Sequence, residues 1–208
     1  MDGLTVIGHP LVEHKLTLLR DRATPSPEVR RLMHELAGLL AYEALADLPL
    51  EDVRIETPLA PMTARRLARG VCFVSILRAA EGLVPGLIAL VPSARVGHVG
   101  LYRDEETLRP VRYYCKLPAD IGARAVVVAD PMLATGGTAV EAIRQIKLAG
   151  ARDIRFLCLV AAPEGVAALR SAHADVAVFA GALDERLNSE GFILPGLGDA
   201  GDRLFGTE

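Results

Sequence analysis

Five stretches of the chain are apolar on consecutive positions rather than on alternate ones. They read VCFVSIL (71–77), ARVGHVGLY (94–102), RAVVVAD (124–130), IRFLCLVAA (154–162) and DVAVFAG (175–181). A strand that alternates polar and apolar residues has one wet face, whereas a strand apolar throughout is covered on both. Between these runs lie segments with helical spacing of apolar residues: EGLVPGLIALV (81–91), TGGTAVEAIRQIKLAGA (135–151, stopped by Gly150) and EGVAALRSAH (164–173). Strands alternating with helices predict an α/β fold built on a parallel sheet with flanking helices. Such sheets take ligands at the carboxyl ends of their strands. The loops after Ile76, Tyr102, Ala129, Ala161 and Ala180 are therefore where chemistry is expected.

The first quarter of the chain reads differently. In SPEVRRLMHELAGLLAYEALA (26–46), Ser26 suits a helix cap and Pro27 the first helical position. Val29, Leu32, Met33, Leu36, Leu39 and Leu40 then share one packing face. This predicts an N-terminal helical arm over about residues 1–50, followed by a connector, DLPLEDVRIETPLAPMTARRLARG (47–70). The whole chain, 1–208, reads as a single domain.

Composition narrows the function classes. Half the residues are apolar (51%), yet no run approaches the ~18 that cross a bilayer. The opening residues, MDGLTVIGHPLVEHK, lack the basic region and apolar core of a secretion signal. Cys72, Cys115 and Cys158 lie far apart with no C-x-x-C pair, which points to a reducing, cytoplasmic setting. A net charge of −3, 4% aromatic residues and no tryptophan argue against a nucleic-acid surface. The five histidines form no ligand-spaced set with cysteines or acids.

The most specific stretch is VVVADPMLATGGTAVEAI (126–143). A buried strand ends at Ala129, Asp130 sits at its carboxyl end, and Thr135-Gly136-Gly137-Thr138 opens a helix. Glycine lets backbone N–H groups approach a ligand, and the helix start supplies free donors and a partial positive charge. Two threonine hydroxyls complete a cradle for one phosphate monoester. No lysine follows the glycines, so this is not a Walker loop. The Asp130 carboxylate repels phosphate and accepts hydrogen bonds from sugar hydroxyls, so the order is sugar over Asp130 and phosphate over Thr135 to Thr138.

Near the end, Gly196, Gly198 and Gly201 match the G-x-G-x-x-G spacing of a dinucleotide turn. That fingerprint opens a βαβ unit of roughly thirty residues. Only DRLFGTE follows, which leaves no room for the helix or the second strand. Pro195 and the apolar FIL and LF on either side predict an anchored loop rather than a loose tail.

These stretches together resemble the type I phosphoribosyltransferases, and DPMLATGG (130–137) with PGLGDAGD (195–202) resembles the uracil phosphoribosyltransferases among them. The likeness extends to HPLVEHKLTLLRD (9–21), ILRA (76–79), VPSARVGHVGLYRDEET (91–107), LVAAPEGVAAL (159–169) and GLGDAGDRLFGT (196–207). It implies the parallel-sheet fold of that family, with a small hood or C-terminal base-binding segment over about 182–208. It implies transfer of ribose 5-phosphate from 5-phospho-α-D-ribose 1-diphosphate (PRPP) to uracil in pyrimidine salvage, giving UMP and diphosphate through an oxocarbenium-like transition state. By the same resemblance, PRPP is held by Arg78, Arg103, Asp130, Pro131, Met132, Leu133, Ala134, Thr135, Gly136, Gly137, Thr138 and Asp199. Uracil is read by the main chain of Ile193, Gly198, Asp199 and Ala200. Arg78, Asp130 and Asp199 carry the chemistry, with Mg²⁺ held mainly through PRPP and Asp199 as its protein carboxylate. Arg112 and Lys116 are either further cations or solvated. Segment 103–118, with Glu105 and Glu106, is a hairpin able to close over the substrate. A homo-oligomer, dimer or tetramer, and a GTP effector known in some relatives complete the expectation.

Three positions depart from the family's usual text, which has PILRAG where this chain has SILRAA. Ser75 replaces a proline, Ala80 replaces a glycine beside Arg78, and Phe192 replaces a tyrosine. A Cβ at position 80 costs affinity if the backbone there has a positive φ or touches phosphate. The readings left beside uracil transfer are a phosphoribosyltransferase for another base, a non-catalytic nucleotide-binding regulator of RNA, and an NAD-binding oxidoreductase.

Overall fold

The computed structural model describes residues 3–103 and 110–207. In chain order the elements are β1 (Leu4–Val6), α1 (Pro10–Arg20), α2 (Ser26–Ala44), β2 (Leu50–Glu56), β3 (Pro61–Leu67), β4 (Val71–Leu77), a 3-10 turn (Ala79–Gly82) and α3 (Val84–Leu90). Then come β5 (Arg95–Arg103), β6 (Pro110–Lys116), a second 3-10 turn (Ile121–Ala123), β7 (Ala125–Ala129), β8 (Met132–Leu133), α4 (Gly137–Leu148), β9 (Asp153–Ala161), α5 (Pro163–Ala172), β10 (Ala177–Leu183), β11 (Arg186–Leu187), β12 (Ile193–Leu194) and α6 (Ala200–Phe205).

The five apolar runs form the centre of one sheet, in the order β1-β10-β9-β7-β4-β5-β6, with β8 paired to β9. Neighbours from β1 to β5 run parallel, and β6 returns antiparallel to β5. Every residue of β7 is buried, as is β4 except at its last position. Alternate residues feed two cores. Val71, Phe73, Val127, Ala129, Leu157 and Leu159 pack beneath α1 and α2; Cys72, Val74, Ile76, Val126, Val128 and Phe156 pack beneath α4 and α5. Consecutive apolar residues are thus consumed on both faces, as the two-sided burial of a parallel sheet requires.

The packing face of the long N-terminal helix is the expected one. Val29, Leu32, Met33, Leu36 and Leu40 are buried, while Leu39 is only half-buried. Its start differs: Ser26 is already helical, Pro25 takes the cap position, and no side chain caps the end.

Two features correct the sequence reading. The connector after α2 contains a β-hairpin, β2 paired antiparallel with β3. Its residues are mostly exposed, and cross-strand pairs such as Arg66 with Glu51 at 2.7 Å tie it together. With no buried face it has no apolar run to announce it. At the other end, a helix does fit after the glycine-rich loop. α6 is six residues long and starts one residue before Gly201, with Asp199 capping it and Gly206 closing it at φ 69°. No strand follows it among the described residues.

Candidate active site

β7 delivers Asp130 to the carboxyl edge of the sheet. The chain then bends so that the Met132 N–H donates to Asp130 Oδ1 at 3.3 Å. Pro131 and Leu133 offer carbonyls to Leu159, Val160 and Ala162, which fastens the turn to β9 and the start of α5. Asp130 is half-buried, and loss of water around its carboxyl pushes its pKa up to about 7, against a smaller opposing pull from the Met132 N–H.

Gly136 takes the N-cap position of α4 at φ 82°, a left-handed conformation that glycine alone adopts freely. A Cβ there would also sit 2.9 Å from Gly165 O and from Ala168 Cβ on α5. The free N–H groups of α4 therefore open onto a small hollow of about 80 Å³. Asp130, Met132, Leu133, Ala134, Thr135, Gly136 and Thr138 line it. Its size and donors suit one phosphate group.

A second hollow of about 310 Å³ shares Asp130, Met132 and Ala134 with the first and continues away from the helix. It adds Arg78, Ala79, Pro131, Asp199, Ala200 and Gly201. Three elements distant in sequence meet here: the turn after β4, the turn after β7 and the start of α6. Arg78 follows a cis Leu77–Arg78 peptide and is exposed, with its guanidinium carbon 5.8 Å from the Phe205 ring centroid. Asp199 is exposed, and its Oδ1 accepts from the Asp202 N–H at 2.9 Å, committing one oxygen to the helix cap.

The C-terminal glycine loop is anchored as expected. Ile193 is 4% exposed and pairs with Leu187 across β11–β12. A cis Leu194–Pro195 bond leads into Gly196, whose φ is 64° and where a Cβ would stand 2.1 Å from Ile193 O. Gly198, at φ 76°, is exposed beside Asp199.

The residues that fix this loop were not legible in the sequence. Arg20 at the end of α1 donates to both oxygens of Asp184 and to Gly196 O, each at 2.7 Å. Asp184 also accepts from the Gly196 N–H at 2.8 Å. Arg203 on α6 donates to the carbonyls of Leu19, Asp21 and Leu197 at 2.6, 2.7 and 2.8 Å. The two arginines lash the C-terminal segment to the end of α1.

Arg103 ends β5, and its side chain lies outside the described residues, as do Glu105 and Glu106. Of the segment 103–118 expected as a hairpin over the substrate, residues 110–116 form β6, which pairs antiparallel with β5 at the edge of the main sheet with Arg103 opposite Pro110, while 104–109 lie outside the described residues. Arg112 lines neither hollow and donates to Gln145 Oε1 on α4 at 2.6 Å. Ala80 is fully buried inside the 3-10 turn and lines neither hollow. The Cβ that replaces glycine there is absorbed by the core.

Two roomier hollows, of about 430 and 490 Å³, lie along α2 and hold none of the expected site residues. Their charged side chains are already paired: Arg30 with Leu204 O, Arg31 with Glu28 and Glu35, Lys15 with Glu35, and Glu81 with the Ser75 hydroxyl. The expected site residues line the smaller pair instead.

A family profile described as uracil phosphoribosyltransferase matches residues 6–207. The chain is 57% identical over 209 residues to a uracil phosphoribosyltransferase of Streptococcus pneumoniae, covering all of both chains. The chain belongs to the uracil phosphoribosyltransferase family. The solved structure of the AQ2163 protein from Aquifex aeolicus superposes with a TM-score of 0.94 at 39% identity, over 99% of each chain. A hypoxanthine phosphoribosyltransferase from Staphylococcus aureus shares the fold over 74% of each chain, at a TM-score of 0.52 and 12% identity. In this family member the G-x-G-x-x-G text therefore belongs to a phosphoribosyltransferase loop and not to a dinucleotide fold.

Among the described residues, no three His, Cys, Asp or Glu side chains gather into a metal cage. The carboxylates of the cleft are Asp130 and Asp199. That donor set suits Mg²⁺ carried mainly by diphosphate oxygens and water, with one carboxylate oxygen from the protein. Cys72 and Cys158 are buried strand residues, and desolvation raises both thiols, Cys72 to about 11. Neither is a nucleophile at neutral pH. Among the described residues, no helix is long and apolar enough to cross a membrane.

Proposed function

We propose that this chain transfers ribose 5-phosphate from PRPP to uracil, giving UMP and diphosphate. One observation carries the reading: the hollow that joins Arg78, Asp130 and Asp199 opens directly onto the phosphate turn. The 5-phosphate sits on the N–H groups and hydroxyls of Thr135, Gly136, Gly137 and Thr138 at the start of α4. Pro131, Met132, Leu133 and Ala134 shape the floor, and Asp130 accepts hydrogen bonds from the ribose hydroxyls.

The diphosphate faces Arg78, whose fork pairs two phosphate oxygens and stabilises charge as the sugar carbon–oxygen bond breaks. Arg103 at the stalk of the β5–β6 hairpin is assigned to the same anion. Asp199 would be the protein carboxylate beside Mg²⁺, which would supply further charge neutralisation when bound. Uracil lies along the main chain of Ile193, Gly198, Asp199 and Ala200. Its N1 attacks the face opposite the diphosphate and loses its proton to Asp199 or water. A buried N–H meeting an amino group instead of a carbonyl costs about 1–3 kcal/mol, which disfavours cytosine. The hairpin shields the electron-poor sugar carbon from water.

We read residues 1–208 as one catalytic unit, working in the cytoplasm as a homo-oligomer, dimer or tetramer. The three free cysteines support the first assignment. Exposed apolar side chains along the helical face, Leu11, Tyr42 and Leu90, support the second.

The test is UMP formation from uracil and PRPP with and without Mg²⁺, with cytosine, hypoxanthine and xanthine as competing bases. Uracil-dependent, Mg²⁺-dependent UMP is expected. Preferential use of another base, or no nucleotide at all, overturns the reading.

A further inference from the structure

Ser75 interrupts the apolar run of β4 and is 1% exposed. Its hydroxyl donates to Glu81 Oε1 at 2.8 Å and lies 2.8 Å from His98 Nδ1. The same Glu81 oxygen is 3.4 Å from His98 Nδ1. The sheet creates this cluster, because Ser75 stands opposite His98 in the β4–β5 register and the turn after β4 folds Glu81 back over both. A carboxylate has no proton to give and serine has one. The bonds therefore run one way, from His98 Nδ1–H to Ser75 Oγ, and from the Ser75 hydroxyl to Glu81.

Glu81 is also held by its main chain, where its N–H donates to the Arg78 carbonyl at 3.1 Å. One residue thus connects two strands of the sheet to the backbone of Arg78. The lining of the substrate hollow includes Arg78 and Ala79 but not Ser75, Glu81 or His98.

We propose that Ser75 and His98, acting through Glu81, position Arg78 for the diphosphate of PRPP. The inference rests on the reading of Arg78 given above. Ser75, Glu81 and His98 are positioning residues. They fix the short 3-10 turn before substrate arrives, so that PRPP binding does not have to order it. Uracil is read by the main chain of the C-terminal loop and not by the Arg78 guanidinium, so it gains little from them.

Steady-state kinetics with both substrates varied test the brace in wild type, Ser75→Ala, Glu81→Ala and the double variant. Glu81 is 40% exposed at its side chain, so its truncation folds even if the buried serine change does not. Each single variant is expected to raise the KM for PRPP about three- to tenfold, the scale of one hydrogen bond's net contribution. The KM for uracil stays within about twofold on the same scale. The double variant is expected to be no worse than the poorer single one, since both changes cut the same link. An unchanged PRPP KM in Glu81→Ala, an equal rise for both substrates, or additive losses in the double variant each overturn the brace. Absence of UMP from the wild-type chain overturns the reaction itself, and the brace with it.

Discussion

Arg20 and Asp184 form a two-pronged ion pair: Nη1 and Nη2 of the guanidinium each lie 2.7 Å from one carboxylate oxygen. Between them they also take the C=O and the N–H of Gly196, at 2.7 and 2.8 Å. The glycine loop proposed to read uracil is therefore held at both backbone groups of its first glycine by residues from α1 and from the end of β10. Asp184 is 6% exposed at its side chain, so the pair is largely shielded from water. Removing one partner of such a pair strands the other, at a cost of about 3–5 kcal/mol. Asp184→Ala is expected to lower the melting temperature and to raise the KM for uracil more than the KM for PRPP. Thermal unfolding and two-substrate kinetics check both. A folded variant with unchanged uracil KM would remove the loop from base recognition.

Asp130 gives a pH signature. Burial raises its pKa to about 7 in the folded chain, above the ~3.9 of an unfolded aspartate. The folded state therefore holds the proton more tightly. The stability this contributes is complete below about pH 4 and is lost as pH rises towards 7 and through it. Asp130→Asn keeps the shape without the charge. It is expected to stabilise the free protein at pH 8 by about 1–3 kcal/mol while sharply reducing UMP formation. Ribose hydroxyls donating to Asp130 favour its ionised form, so PRPP binding is expected to release protons near pH 6.5 and to tighten as pH rises to 8. Calorimetric titration in buffers of different ionisation enthalpy measures that release directly.

Much of this site was legible because it is local. Asp130 and Thr135 to Thr138 lie within nine residues, and strand end, turn and helix start follow in order. β4 occupies the bounds its apolar run announced, 71–77, for the same reason. The Arg20–Asp184–Gly196 lock spans 164 and 176 positions, and an arginine at a helix end looks like any solvated one. Ser75 shows in the sequence only as a departure from proline, since nothing in VCFVSIL says that a histidine and a glutamate will face its hydroxyl. The β2–β3 hairpin buries no face and so leaves no apolar run, and the six-residue α6 is far shorter than the helix of a dinucleotide unit.

Gly136 tests the phosphate turn. Alanine there must adopt φ 82° and places its Cβ 2.9 Å from Gly165 O. Left-handed backbone at a non-glycine residue costs on the order of 1 kcal/mol or more, and the contact with α5 adds to it. Gly136→Ala is expected to lower stability by about 1–3 kcal/mol and to raise the KM for PRPP at least tenfold, leaving uracil little affected. Denaturant unfolding with PRPP titration separates the two effects. Gly137→Ala is the control for stability alone: its added Cβ has only Thr135 Oγ1 nearby, at 3.9 Å, and its φ is not left-handed, so unfolding is expected to be unchanged even where PRPP binding is weakened.

Arg78 and Phe205 make the last prediction. The guanidinium carbon sits 5.8 Å from the ring centroid, a distance at which an exposed cation–π contact contributes about 0.5–1 kcal/mol. Arg78→Ala removes the group assigned to the departing diphosphate and is expected to lower kcat/KM for PRPP by 10²-fold or more, on the order of a lost transition-state donor. Arg78→Lys keeps the charge but not the fork, so it should recover only part of that loss. Phe205→Leu removes the ring and leaves the arginine in place. Its effect is expected to be about two- to fivefold on PRPP alone. If Arg78→Lys matches wild type, two-point recognition of the diphosphate is wrong and Arg78 acts only as a point charge. If Phe205→Leu hurts as much as Arg78→Ala, the ring has a role in the reaction beyond steadying the cation.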